Sequence, residues 1–305
     1  MYELGCTSFA VLFDDIDKGM CPEDQEAFAS FSHAHCHVAN HVLRNLGPRR
    51  LLFCPTEYCT SRAEPTIRDS VYLNTLGSSL DPSIQVLWTG DAVIPEYITP
   101  ESLQAVNAAI GRKCVIWDNI HANDYDPRRV YLGPYAGRPA RIADHVQGVL
   151  TNPNCQYSLN FVALHSMAAW HRLGAAYDER VAFRQAVTDW VSRIAQGGTG
   201  KQAAAVGVDA MMKLCDMFYL PFHHGTAAST LIASFLWLED TPATGACVRA
   251  CVCAVVCVCS CVYVCMYVCV CVCNCVSLSI HGSAHLPPPQ NNFPLPTSHS
   301  PLPPP

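Results

Sequence analysis

Over the first 175 positions, short unbroken apolar runs alternate with longer stretches whose apolar residues recur at helical spacing. The runs are FAVLF (9–13), RLLFCP (50–55), IQVLW (84–88), CVIW (114–117) and, more weakly, VQGVLT (146–151). Each is rich in β-branched or aromatic residues and short enough to be a strand buried on both faces. Segments 22–46, 67–80 and 99–110 read as helices, the last opening on Thr-Pro-Glu, a helix-start signature. Strands that recur every ~30–40 residues with a helix between them predict βα units and a parallel sheet. Five such units are visible, against the eight of a closed barrel.

From 178 to 240 the pattern is helical, with apolar spacing over 181–194, 211–220 and 231–238. The GGTGKQAAAVG stretch (197–207) reads as a flexible linker. Its GGTGK does not meet the spacing of a phosphate loop, and no strand precedes it. Residues 241–305 differ in kind. The stretch 250–276 alternates Val and Cys without a charge, over a length that would span a bilayer. Val-Cys-Val-Cys is also what a GTGTGT repeat encodes, and the proline-rich end is of low complexity and expected to be disordered. Translated non-coding sequence is the simplest account of this tail, with a transmembrane helix as the alternative.

The chain has 305 residues, a net charge of −6 and a pI near 6.1, which gives no electrostatic case for nucleic acid or an anionic membrane. Its opening, MYELGCTSFA, has neither the basic nor the apolar region of a secretory signal. Of 19 cysteines, eleven lie between Cys247 and Cys275, and the other eight show no zinc-like or disulfide-framework spacing. Reduced thiols in a cytosolic or nuclear protein are expected.

In a βα barrel the chemistry lies at the carboxyl ends of the strands. Asp14, Asp15 and Asp17 follow the first run, Glu57 and Tyr58 the second, and Thr89-Gly90 the third. Asp118, Asn119, His121, Asn123, Asp124 and Asp126 follow the fourth; Asn152 and Asn154 follow the fifth. With Trp88 and Trp117, one mouth would collect acids, amides and aromatics with few cations, a set that suits a sugar better than a phosphate. Paired carboxylates suit glycoside hydrolysis, where one group acts as an anion and the other as an acid. Adjacent residues cannot readily flank a bond from opposite sides. They fit substrate assistance instead, in which the 2-acetamido group of the sugar attacks C1 while one Asp polarises it and its neighbour protonates the leaving oxygen.

LFDDID, LFCPTEYC, VLWTG, VIWDNIHANDYD, LGPY and GVLTNPNC, in this order and spacing, resemble the catalytic barrel of glycoside hydrolase family 84 over about residues 5–170. Within that family they match the animal members that remove O-linked β-N-acetylglucosamine from serine and threonine of proteins. The segment 217–240 is similar to the start of that family's helical stalk. The resemblance implies a partial (β/α)8 TIM barrel, about strands 4–8, over 1–175. A stalk fragment over 176–240, with a linker near 196–209, and the low-complexity tail over 241–305 would follow.

The resemblance also implies roles. Asp14 holds the acetamido N–H and stabilises an oxazoline, and Asp15 is the general acid and then the base. Tyr58 bonds the acetamido group, Trp117 lines the pocket, and Asn119, Asp124 and Asn152 hold the sugar. It implies no cofactor and no metal, protein substrates in cytoplasm and nucleus, and a homodimer through the stalk. No nucleic-acid or membrane partner is expected.

The barrel of this family begins three strands before Asp14, so the chain alone is expected to hydrolyse little aryl N-acetylglucosaminide. A non-catalytic fragment or sugar-binding remnant is the alternative. Asp17 and Asp126 are expected to stabilise local structure, and Trp88 to be a core or rim aromatic. His33, His35 and His37 are expected in ordinary helix surface and packing. DNIHANDYD lacks the glycine and terminal glutamate of a calcium loop.

Overall fold

A computed structural model describes residues 5–17, 19–47, 50–126, 129–197 and 207–222. Strand β1 (Ser8–Leu12) leads into helices α1 (Pro22–Ala27) and α2 (Phe31–Leu46). Then come β2 (Arg50–Cys54), α3 (Val71–Ser79), β3 (Gln85–Trp88), α4 (Pro100–Ile110), β4 (Cys114–Asp118) and β5 (Val146–Thr151). Helices α5 (Phe161–Leu173), α6 (Glu179–Gly197) and α7 (Val208–Met217) complete the described part. The five strands form one sheet in chain order, and every neighbouring pair is parallel. The expected parallel α/β architecture is therefore present, and all five carboxyl ends lie along the same edge.

Strand alternation divides the side chains between two faces. Phe9 and Val11 of β1, Leu51 and Phe53 of β2, Val86 and Trp88 of β3, and Cys114 and Ile116 of β4 join the main core. On that face lie α2, α3 and α4, which contribute Cys36, Ala39, Leu73, Leu76, Leu103, Val106 and Ile110. The opposite face carries a small cluster of Cys54, Tyr58, Cys59, Leu87 and Val115, with Leu52 and Trp117 packed on it. At its two flanks Leu12 is 48% and Leu150 50% exposed, and among the described residues β1 and β5 are each paired on one side only.

Three helices start on hydroxyl caps. Ser30, Ser70 and Thr99 accept the backbone N–H of His33, Leu73 and Ser102, which removes an unpaired donor from each first turn. The segment expected as one helix over 22–46 is two. Phe28 is extended, and the Ser30 cap restarts the helix at Phe31. Helix α5 was not expected from the sequence. It buries Val162, Ala163, Ser166, Ala169 and Trp170, a single helical stripe. Helices α6 and α7 form a second core with Val130, Leu132, Leu159 and Val162 through Phe183, Val187, Met211 and Leu214. The helix expected over 231–238, most of the 197–207 linker and the whole 241–305 tail lie outside the described residues.

Candidate active site

The parallel register places the expected residues on one edge. Asp14 and Asp15 sit in the turn directly after β1, the first half-buried and the second exposed. Phe13 ties that turn to the next unit: its N–H donates to the Cys54 carbonyl (2.9 Å), and its carbonyl accepts from the Thr56 hydroxyl (2.6 Å).

Tyr58 follows β2 and is 6% exposed, packed on Leu87, Val115 and Trp117, with the Arg62 guanidinium 4.7 Å over its ring. Burial is the main cause that raises its hydroxyl above the ordinary value. Asp15 and Asp14 act in the same sense, and the charge of Arg62 opposes them. The Tyr58 hydroxyl is therefore a proton donor within the field of both carboxylates. The loops after β2 and β3 are sewn together, with Thr89 N–H on the Tyr58 carbonyl (2.9 Å) and Thr60 N–H on the Gly90 carbonyl (3.0 Å).

Trp117 is half-buried on the same face as Tyr58. Asn119 is buried, and its Nδ2 donates to the Val93 carbonyl (2.8 Å). Its Oδ1 accepts from Asn152 Nδ2 (3.1 Å), while Asn152 N–H donates to the Asp118 carbonyl (2.8 Å). These bonds join the ends of β4 and β5. Asp124 stands exposed in the loop after β4, and among the described residues this bonded group does not extend to it.

Several residues that the sequence gathers at the mouth serve elsewhere. Asp118 is fully buried and held by Arg138 and Tyr135. Burial pushes its carboxyl up, but the Arg138 charge and the bonds from Arg138, Tyr135 and the Ile120 N–H outweigh that and hold it below the usual range. Glu57 is buried and accepts the Ser70 hydroxyl (2.6 Å), the same hydroxyl that caps α3. Trp88 is wholly buried in the helix-side core. His121 is wholly buried with Nε2 on the Gly133 carbonyl (3.0 Å). Asn123 binds the Arg129 carbonyl and Gln156, and Asn154 brackets Tyr131, so both shape loops.

Asp17 accepts the Gly19 N–H (3.0 Å) and Asp126 pairs with Arg129 (3.1 Å), which are the local roles expected for them. His33 bonds the capping Ser30 and His37 lies exposed, whereas His35 is buried. Among the described residues, no group of three His, Cys, Asp or Glu could hold a metal ion, and no helix is long and apolar enough to cross a membrane. Clefts of about 270 Å³ beside Thr56, Glu57 and Tyr72, and about 450 Å³ beside Tyr97, Arg138 and Tyr177, are not lined by the carboxylate pair.

The missed residue at this edge is Arg138. Strand alternation carries the signal that would have found its partner. Val115 and Trp117 share one face of β4, so Asp118 falls with Cys114 and Ile116 on the helix side, where a carboxylate needs a cation.

The profile of the beta-N-acetylglucosaminidase family matches residues 1–206. The chain is 50% identical over 171 residues to the protein O-GlcNAcase of Rattus norvegicus, covering 56% of this chain and 19% of that protein. The protein O-GlcNAcase of Mus musculus matches to the same extent, so the chain spans about a fifth of the length of these relatives. A solved structure of a Thermobaculum terrenum O-GlcNAc hydrolase variant superposes with a TM-score of 0.64 at 21% identity, over 81% of this chain and 58% of that one. That similarity shows a shared fold.

Proposed function

The chain belongs to the beta-N-acetylglucosaminidase family, and from that premise we propose that its site hydrolyses β-N-acetylglucosamine from serine and threonine of proteins, with retention and through an oxazoline. The observation that carries the reading is the position of Asp14-Asp15 on the same sheet edge as Tyr58, Trp117, Asn119 and Asn152. The five units correspond to about strands 4–8 of a (β/α)8 barrel over 1–175, with the stalk beginning in the helices of 176–240.

Asp14 accepts the acetamido N–H, which turns the amide oxygen into the nucleophile at C1 and stabilises the positive charge of the oxazoline. Asp15 gives its proton to the leaving serine or threonine oxygen. It then takes one from the water that opens the oxazoline, so the two steps close without a cofactor. The Tyr58 hydroxyl donates to the acetamido oxygen. Trp117 offers an apolar wall, and Asn119, Asp124 and Asn152 bind sugar hydroxyls. Protein substrates of this kind put the enzyme in cytoplasm and nucleus, and a stalk dimer would add to the substrate cleft.

For the 305-residue chain alone, a second reading is favoured by the exposure of Leu12 and Leu150 on the site side of the sheet. Apolar side chains at both flanks leave the mouth open, and a pocket that admits bulk water positions a sugar poorly. Little or no turnover by this chain alone is then the outcome.

The test measures hydrolysis of an aryl N-acetylglucosaminide, and thermal melting with an oxazoline-mimicking inhibitor. Turnover that Asp15→Ala abolishes supports catalysis by this chain. Stabilisation by inhibitor without turnover supports a formed pocket that is not competent. Absence of both overturns the site reading.

A further inference from the structure

Asp14 follows Phe13, whose carbonyl and ring are each held by another element. Thr56 Oγ1 donates to its carbonyl (2.6 Å). Thr56 N–H donates to Tyr72 Oη (3.1 Å), which lies 2.9 Å from His35 Nδ1. The His35 ring then returns to the start, stacked on the Phe13 ring with centroids 3.9 Å apart and planes 10° from parallel. Phe13, Thr56, Tyr72 and His35 thus form a closed circuit across the turn after β1, the loop after β2, α3 and α2. Thr56, His35 and Tyr72 are 2%, 5% and 8% exposed, so water competes little for these bonds.

Counting hydrogens gives an arrangement in which every hydrogen of the circuit has an acceptor. Thr56 has one hydroxyl hydrogen, which goes to the Phe13 carbonyl. Tyr72 Oη accepts the Thr56 N–H and has one hydrogen of its own, for which a neutral His35 Nδ1 is the acceptor. Burial keeps His35 neutral, with its pKa lowered to about 4. The imidazole then carries its hydrogen on Nε2, and a protonated or Nδ1-H ring would face the Tyr72 hydrogen with another donor.

We infer that His35 is a positioning residue for Asp14, acting through Tyr72 and Thr56 on the carbonyl that precedes the carboxylate pair. The inference rests on the reading of Asp14 as the group that orients the acetamide. Its physical need is plain. Among the described residues β1 is an edge strand, and a carboxylate displaced by about 1 Å from a reacting group loses on the order of a hundredfold in rate.

The test uses the full chain, three single variants and the double variant His35→Phe/Tyr72→Phe. His35→Phe keeps a ring for the stack but removes the acceptor, His35→Asn keeps an acceptor near Nδ1 but removes the stack, and Tyr72→Phe removes one oxygen. Hydrogen exchange of the peptide spanning 13–17 reads the turn directly, and affinity for an oxazoline-mimicking inhibitor reads the acetamide site.

Faster exchange and roughly tenfold weaker binding are expected for His35→Phe and Tyr72→Phe, with the double variant no worse than either single one. His35→Asn should retain part of both. Should a His35 variant fail to fold, Tyr72→Phe carries the comparison. Unchanged exchange at 13–17 in folded His35→Phe or Tyr72→Phe overturns the inference, as does an additive double variant. A parent chain that does not bind the inhibitor at all defeats the functional reading instead, and exchange still decides whether the circuit holds the turn.

Discussion

Arg138 grips Asp118 at two points, Nε to Oδ2 at 2.8 Å and Nη2 to Oδ1 at 2.7 Å, with both side chains completely buried. The remaining guanidinium hydrogens go to the carbonyls of Glu96, Ala136 and Pro95, and Tyr135 donates to Oδ2 (2.8 Å). A buried pair so fully bonded is costly to break on one side only, because the surviving charge has nowhere to go. Arg138→Met should destabilise the fold by about 3–5 kcal/mol, and the double variant Arg138→Met/Asp118→Leu by less. Urea unfolding of the two variants checks this, and a double variant weaker than the single would contradict it.

Acid should loosen the molecule before it reaches the carboxylates. His121 is wholly buried, and burial lowers its pKa from 6.5 to about 4. Its Nε2 faces the Gly133 carbonyl, while Nδ1 is without a hydrogen-bond partner among the described residues. Between these two values the unfolded chain binds more protons than the folded one, so stability is intact above 6.5 and falls as the pH drops through the window. The slope from His121 is at most about 1.4 kcal/mol per pH unit, and His35 acts in the same direction. Asp118, whose folded pKa is depressed, adds its own loss only below about 4. Denaturation midpoints at pH 7 and pH 5 should differ accordingly, with a flatter dependence in His121→Gln.

The inner strands β2, β3 and β4 were legible because they are buried enough to write themselves as unbroken apolar runs. Strands β1 and β5 carry such runs although they flank the sheet half-exposed, and the carboxyl-end rule then located Asp14, Tyr58, Asn119 and Asn152 on one edge. What the runs do not encode is the distant partner. Strand alternation says that Asp118 needs a cation but not that it is an arginine twenty residues on, and nothing near Glu57 announces Ser70. The carboxyl-end rule alone gathers both acids at the mouth, and the packing assigns them elsewhere. His35 is the converse case. Its neighbours in SHAHCH suggest helix surface, and only the return of Phe13 and Tyr72 from other elements makes its position distinctive.

Gly77 is a place where helix propensity and packing disagree. In α3, alanine would gain roughly 0.5–1 kcal/mol over glycine. A Cβ at that position, however, would fall on the Ala109 carbonyl oxygen and come within 3.2 Å of the Ile110 carbonyl carbon, both backbone atoms of α4. Two helix backbones cannot yield as a side-chain tip can, and such overpacking costs about 1–3 kcal/mol. Packing should win. Gly77→Ala is expected to lower the melting temperature, and an unchanged or raised value would show that α3 and α4 separate freely.

The proposed division of labour between the neighbouring acids makes the sharpest kinetic prediction. If Asp15 is the proton donor, its removal matters in proportion to how badly the leaving oxygen needs a proton. Asp15→Ala should slow a poor leaving group, such as an alkyl or unactivated phenyl N-acetylglucosaminide, by about a hundredfold to ten-thousandfold. A dinitrophenyl leaving group, which departs as a stable anion, should be far less affected in the first step. Asp14→Ala should behave differently. In the proposed mechanism it orients and charge-balances the acetamide in the oxazoline-like transition state, so the loss should be large and nearly independent of the leaving group. A general loosening of the turn cannot produce this contrast, since the two residues are adjacent in it. Plots of log(kcat/KM) against leaving-group pKa should therefore steepen for Asp15→Ala and shift in parallel for Asp14→Ala. Parallel shifts for both would remove the proton-donor role from Asp15 and leave the pair without the assignment that makes their adjacency useful.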